Sequence, residues 1–355
     1  WIIVAAGNPP EYNKSVREFD VVTLDRLKKI EVTENLDVWL EYAGEKGIHG
    51  AILSYLSLKK ENFYMVENTV DGKFFVTARG WEDLSEILKS YEELQVEIGE
   101  ELIGEFLQKE EIARDFAGYY RLYEKYKSDY QIQEILDGNV TSGQLKTCCD
   151  MGKKASFEER FTVTEMLLEA VTERISVFQK TDEKTEKLYE NLKLLKIFLQ
   201  EKNSVEAMEQ FIASRRKALD AKICSELLTA EEAAREEEQI RILEEYFLQL
   251  KELHISGVTE GIEQIGERFG NVCRLRNEKL EETKKMLEHA FSFLEECFGE
   301  GQELLLFETG LTGDDRCSIF ISQYGCPSYF KHCELLLYSK KENELRKECR
   351  DLLED

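Results

Sequence analysis

Along most of the chain, apolar residues recur every three or four positions, which is the spacing of amphipathic α-helices. Such segments cover Phe157 to Phe178, Thr185 to Leu199, Val205 to Leu228 and Ala230 to Leu253, and a further long helix is predicted near Leu280 to Phe298. Only three prolines occur in the chain, and no proline lies between positions 11 and 326. Because an interior proline interrupts a helix, this distribution also predicts a mainly α-helical protein.

Two kinds of segment depart from the helical pattern. The apolar run at residues 2–6 is short and β-branched, like a strand buried in a parallel sheet, and Lys29 to Val32 alternates in polarity like a second short strand. Residues 63–66 and 74–76 flank Asp71-Gly72 and predict an irregular β-hairpin or an extended loop. The first run has no evident neighbouring strand in this sequence. We therefore expect its partners upstream of residue 1, in a larger protein.

The patterns divide the chain into three predicted parts. Residues 1–33 contain the strand-like runs, residues 34–128 form a small set of helices around the hairpin, and residues 129–355 form a helical region with long hairpins. The best candidate linker is the polar, glycine-flanked segment at 137–143.

Composition restricts the kinds of partner and site. The chain has 47 basic and 72 acidic residues, and a net charge of −25 opposes a broad surface for nucleic acid or an anionic membrane. Its cysteines form no C-x-x-C motif and its histidines no H-x-x-x-H motif, so we expect no metal site. The odd number of cysteines, with no apparent signal peptide and no long apolar run, predicts a reduced, soluble, cytoplasmic protein.

Three polar residues lie at junctions between predicted elements. Asn8 follows the first apolar run, at the strand end where open α/β sheets bind ligands, although Asn before Pro is also an ordinary turn residue. Arg26 ends the helix predicted before the second strand. Arg79 lies at the start of a helix whose Trp81 is expected to face inward, so its guanidinium could reach a phosphate. By itself, an arginine at the position of Arg26 is usually a surface charge, and Arg79 could equally be one.

The order of these residues resembles that in MoxR-like AAA+ ATPases. The stretch IIVAAGNPPEYNKSVREFDVVTLDRLKKIEV resembles their segment from sensor 1 to the end of the ATPase core. The stretches WLEYAGEKGIHGAILSYL and VTARGWEDLSEIL resemble the small helical lid that follows. The resemblance covers roughly residues 1–128, and the remainder matches such ATPases only loosely. It implies a mainly α fold with a remnant of an α/β AAA+ core, a helical lid and a helical-hairpin C-terminal region.

The resemblance also implies roles for individual residues. Asn8 would be sensor 1, Arg26 the arginine finger acting in trans on the neighbouring subunit, Arg17 a second candidate finger, and Arg79 the sensor 2 residue that binds nucleotide. The implied cofactors are ATP and Mg²⁺. The implied partners are further copies of the chain in a ring and a protein substrate, for example one with a von Willebrand factor A domain.

The family's phosphate-binding motifs are not found in these 355 residues. A Walker A loop needs Lys and Ser or Thr after its second glycine, whereas the nearest match, at 138–145, has Gln144 and Leu145 there. The nearest Walker B-like run, Leu304 to Glu308, has no Asp before its Glu. We therefore expect ATP and Mg²⁺ to be bound mainly by upstream residues and this chain alone to be inactive. The alternative is a non-enzymatic acidic helical scaffold or adaptor that binds another protein.

Overall fold

The computed structural model describes residue 4, residues 6–7, 25–26 and 28, and residues 30–69 and 72–336. Almost all regular structure in these residues is α-helical, which confirms the prediction of a mainly α-helical protein. The helices are α1 (Leu36–Lys46), α2 (Gly50–Leu58), α3 (Ala78–Glu93), α4 (Glu100–Phe106), α5 (Glu110–Tyr130), α6 (Ile132–Asp137), α7 (Ser142–Gly152), α8 (Phe157–Lys202), α9 (Ala207–Cys224), α10 (Ala230–Glu252), α11 (Val258–Phe298), α12 (Gln302–Gly313), α13 (Asp315–Tyr324) and α14 (Pro327–Leu336).

The predicted β-hairpin is present between α2 and α3. Its strands are β1 (Met65–Thr69) and β2 (Gly72–Val76), and a short 3₁₀ turn at Lys60–Asn62 precedes them. The strands pair antiparallel, with Met65 opposite Val76 and Thr69 opposite Gly72.

The strand-like runs near the start of the chain are not strands in the described residues. Ile30 and Val32 lie in irregular backbone with exposed fractions of 83% and 92%, so the prediction of a strand at Lys29 to Val32 is wrong there. Val4, in the first apolar run, is 87% exposed and also outside any strand. A strand needs a hydrogen-bonded neighbour. Within the described parts of the chain, the only paired strands are β1 and β2.

The longest helix is continuous where the apolar spacing predicted two helices. α8 runs for 46 residues, or about 70 Å, through the gap expected at 179–184. The residues in that gap, QKTDEK, contain neither glycine nor proline, so nothing in the local sequence stops the helix. Ser156 begins α8 as its N-cap, with its hydroxyl accepting a hydrogen bond from the backbone N–H of Glu159 at 3.2 Å.

Buried apolar side chains form two separate cores. The first core includes residues from α1 to α7, the first half of α8, the last part of α11 and α12 to α14. The second core includes residues from the end of α8, α9, α10 and the beginning of α11. We call the part of the molecule around the first core the body and residues 183–275, around the second core, the arm. Both sides of the boundary expected after residue 128 contribute to the body, for example through Tyr123 and Tyr130.

A disulfide joins Cys149 in α7 to Cys297 near the end of α11. The prediction of fully reduced cysteines is therefore wrong for this pair. The two cysteines are 148 positions apart, so no local sequence motif marks them as neighbours. Cys148, directly beside the bridge, is a buried free thiol. The covalent loop closed by the disulfide contains the whole arm.

Removing the disulfide should destabilise the protein, because the cross-link restricts a long loop in the unfolded chain. The chain-entropy model gives about 5 kcal/mol for a loop of this length. We expect the double variant Cys149→Ser, Cys297→Ser to lose stability approaching that amount in denaturant titrations without reductant. Cys148→Ser is the matched control, since it replaces the adjacent thiol and leaves the bridge intact. A double variant as stable as the wild type would show that the bridge does not stabilise the fold.

Candidate functional site

Arg79 lies where the sequence placed it, at the start of a helix. It is the second residue of α3, and Thr77 is the N-cap, with its hydroxyl oxygen accepting a hydrogen bond from the backbone N–H of Gly80 at 3.2 Å. The Arg79 side chain is exposed and makes no hydrogen bond or ion pair with any other described residue. No described residue therefore occupies the donors of this guanidinium, which could bind an external group.

Trp81, two residues further on, fixes this end of α3 in the body. As predicted, it faces inward, and its side chain is fully buried. Its indole Nε1–H donates to the backbone carbonyl of Phe63 at 3.1 Å. Its ring packs against Tyr55 and, edge to face, Phe116, with centroid distances of 5.8 and 5.3 Å. The first turn of α3 is thus held by a buried hydrogen bond and by two aromatic contacts.

Gly80 adds a constraint that the sequence analysis did not identify. A Cβ atom at this position would lie 2.8 Å from the backbone carbonyl oxygen of Phe106, at the end of α4. Backbone cannot yield as a flexible side chain can, so only glycine allows this close approach. Arg79 therefore projects from a helix turn whose position is fixed on both sides.

A second polar cluster lies beneath the body surface around His49. The imidazole caps α2: Nδ1 accepts a hydrogen bond from the backbone N–H of Ala51 at 3.1 Å. The proton of a neutral ring is therefore on Nε2, which donates to Glu92 Oε1 at 2.7 Å. Tyr120 donates to the same carboxylate oxygen at 2.8 Å, and Lys127 pairs with the other at 3.3 Å. No sequence motif indicated this cluster.

The environment of Glu92 lowers its pKa. Burial by itself raises the pKa of this carboxyl, but hydrogen bonds from His49 and Tyr120 and the charge of Lys127 outweigh burial and lower the pKa to about 2. Glu92 thus remains an anion that holds α2, α3 and α5 together.

Two carboxyls on α8, those of Glu165 and Glu169, have raised pKa values, in contrast to the lowered pKa of Glu92. Glu169 accepts a hydrogen bond from Tyr123 at 3.1 Å and lies directly against the α-carbon of Gly50. Burial raises the pKa of Glu169, and burial together with the charge of Glu169 raises the pKa of Glu165 to about 7. These carboxyls lie where α8 packs against α2 and α5.

Of the four sequence-predicted site residues, the structure describes Arg26 and Arg79. Arg26 is in an exposed turn, whereas Asn8 and Arg17 lie outside the described residues. In the described ranges, no three histidine, cysteine or acidic side chains meet as a candidate metal site. None of the described helices is long and apolar enough to cross a bilayer.

Comparison with known proteins finds no match: no family model fits the chain, and neither a curated protein nor a solved structure resembles it significantly. The geometry around Arg79 and the motif order in the sequence therefore carry the functional argument.

Replacing Trp81 should destabilise the body. Trp81→Ala removes a fully buried indole and leaves a cavity, so we expect a loss of about 3 to 5 kcal/mol in the free energy of unfolding, measured by denaturant titration. Trp81→Phe is the matched variant, because it keeps an aromatic ring but loses the hydrogen bond to Phe63, and it should cost less. If Trp81→Ala lowered the free energy of unfolding by less than about 1 kcal/mol, Trp81 would not anchor α3, because a cavity of this size costs more than that.

Glu165 and Glu92 should give opposite pH dependences of stability. The pKa of Glu165 is raised by burial, from 4.5 to about 7, so its stabilising contribution is present below pH 4.5 and lost as pH rises through 7. The pKa of Glu92 is lowered to about 2 because its hydrogen bonds and Lys127 outweigh burial, so its contribution is present above pH 4.5 and lost as pH falls toward 2.

We therefore expect Glu165→Gln to be more stable than the wild type at pH 8 and equally stable at pH 4. Glu92→Gln should be less stable than the wild type at pH 8, with a difference that shrinks in acid. Denaturant titrations from pH 3 to pH 8 measure both. Parallel pH profiles for the two variants would contradict these assignments.

Proposed function

We propose that this chain is the C-terminal portion of a MoxR-like AAA+ ATPase, with the end of its ATPase core, its lid and a helical C-terminal region, and with its Walker motifs outside this chain. In this proposal a ring of subunits couples ATP hydrolysis in the cytoplasm to remodelling or activation of a partner protein. The observation that carries it is Arg79, an exposed guanidinium without a described acidic partner, which projects from a rigidly held helix start.

The surroundings of Arg79 suit an anionic ligand. In a chain with a net charge of −25, many arginines have acidic partners; Arg114, for example, pairs with Glu100 and Glu110. Arg79 has no such partner among the described residues, and the N-terminal end of α3 adds the favourable electrostatic potential of a helix start. A phosphate group has the charge and the oxygen geometry that a guanidinium binds through two hydrogen bonds.

The proposed roles follow from phosphoryl-transfer chemistry. ATP with Mg²⁺ supplies the phosphoryl group, and the sensor 2 role has Arg79 contact the nucleotide of its own subunit. Arg26, with Arg17 as second candidate, would provide positive charge to the nucleotide of the neighbouring subunit, and Asn8 would orient the attacking water. Charge that develops on the transferring phosphoryl oxygens is stabilised by such cations.

The second candidate function is a non-enzymatic scaffold or adaptor. The observation that favours it is the arm, whose own apolar core is separate from the body that carries Arg79. An arm of this kind suits protein binding whether or not the body senses nucleotide. In the ATPase proposal, the arm is instead the region that contacts the remodelled protein, for example one with a von Willebrand factor A domain.

Substitution of the two arginines should separate their roles in a protein that includes the Walker motifs. Arg79→Ala should weaken nucleotide binding and turnover together, because the contact is made in both the bound state and the transition state. Arg26→Ala should leave affinity nearly unchanged and lower turnover by about 10³-fold or more, because a finger acts mainly on the transition state. Calorimetric titration and steady-state ATPase assays measure these effects.

Mixed rings provide the control for action in trans. Rings that combine Arg26→Ala with a Walker A variant should regain activity at interfaces where an intact Walker A site faces an intact Arg26. Co-assembled rings without recovered activity would contradict the finger assignment. Unchanged nucleotide affinity in Arg79→Ala would contradict the sensor 2 assignment, and the absence of any ATPase activity in the intact protein would favour the scaffold.

A further inference from the structure

The body and the arm are connected by a stretch with little apolar packing. α8 and α11 run antiparallel through both, and each contributes buried residues to both cores. Between Ile265 in the arm and Thr283 in the body, no residue of α11 is buried. On α8, the corresponding gap lies between Phe178 and Leu188. We call this stretch the neck.

A closed triangle of polar contacts holds the neck together. Arg276 on α11 donates through Nε to Asp182 Oδ1 on α8 at 2.7 Å, and through Nη2 to the hydroxyl oxygen of Tyr324 on α13 at 2.7 Å. The Tyr324 hydroxyl in turn donates to Asp182 Oδ2 at 2.9 Å. Three helices that are distant in sequence therefore meet at one guanidinium.

Aromatic rings complete the surroundings of Arg276. Its guanidinium carbon lies 5.3 Å from the ring centroid of Phe178 and 5.4 Å from that of Tyr324. The side chain is 19% exposed, and that of Asp182 is 32% exposed. The contacts thus have good geometry but remain within reach of water.

This kind of joint can open at lower cost than an apolar core. Separating packed apolar surfaces costs about 25 cal/mol for each Å² exposed, whereas water can replace the partners of a partly exposed ion pair. α8 and α11 are continuous through the neck, so the arm can tilt by a small sliding of one helix past the other, without breaking either.

We propose that Asp182, Arg276 and Tyr324 form a latch that fixes the orientation of the arm on the body, and that opening this latch lets the arm swing about the neck. The part of α8 that follows Asp182 is about 30 Å long, so a tilt of roughly 20° moves its end by about 10 Å. The latch is a conformational property of the chain and does not depend on the proposed ATPase function.

The test compares two arginines on the same helix. Arg276→Met removes the charge and the hydrogen bonds but keeps a side chain of similar length over Phe178. Arg274→Met is the matched control, since Arg274 is exposed and pairs with Glu278 one turn along its own helix. Spin labels on encoded non-natural residues at positions 105 in the body and 252 at the arm's end report the distance between them by pulsed electron resonance.

We expect a single narrow distance distribution for the wild type and for Arg274→Met, and a distribution at least twice as broad for Arg276→Met. A distribution for Arg276→Met as narrow as the wild type, at the same mean distance, would overturn the latch. So would equal broadening in Arg274→Met, because the effect would then not depend on the triangle.

Tyr324→Phe keeps the test decisive if Arg276→Met fails to fold. It removes only the hydroxyl and retains the ring beside the guanidinium, and circular dichroism with thermal melting verifies its fold. We expect its distance distribution to be broader than that of the wild type. A fully folded Tyr324→Phe with an unchanged distribution would also count against the latch.

Discussion

The antiparallel packing of α8 against α11 is the interaction on which the rest of the structure depends. These helices, of 46 and 41 residues, are the only ones in the described residues that contribute to both cores. In the body, α2, α5 and α6 pack on the first half of α8, while α12 to α14 pack around α8 and the end of α11. In the arm, α9 and α10 complete the second core. Each core includes only one end of α8. The chain therefore packs as two units, the body and the arm, which share one continuous pair of helices.

The body combines two kinds of polar interaction with different consequences. The groups around Glu92 satisfy its charge with an imidazole, a phenol and an ammonium group, so the pKa of Glu92 falls despite burial. Glu165 has no comparable set of partners, so burial dominates and its pKa rises to about 7. Both carboxyls lie between helices of the body, yet they contribute to stability in opposite pH ranges. Glu165 is also the more deeply buried of the two, so the difference comes from burial together with hydrogen-bond partners.

The setting of Arg79 illustrates how a rigid framework can present a flexible side chain. An arginine side chain has several rotatable bonds, so positioning depends on its backbone. Here the N-cap Thr77, the close approach of Gly80 to Phe106 and the buried Trp81 fix that backbone within one helical turn. In the proposed sensor 2 role, such a fixed backbone would present the guanidinium of Arg79 to the nucleotide in a defined position.

The sequence by itself determined most of the local structure. Its apolar spacing predicted the helical character, Asp71-Gly72 indicated the hairpin, and the inward face of α3 predicted the burial of Trp81. These features depend on residues a few positions apart. It placed Arg79 correctly at a helix start, whereas residues 30–32 of its predicted second strand lie in irregular backbone.

Only the tertiary structure decided which distant residues meet. It brought Cys149 to Cys297 across 148 positions, and Asp182 to Arg276 and Tyr324 across 94 and 142 positions. It also showed that Gly80 touches the backbone of Phe106. Periodicity in a single sequence reports which face of a helix is buried, but not what that face is buried against. Contacts between elements distant in sequence are therefore set by the packing of whole helices.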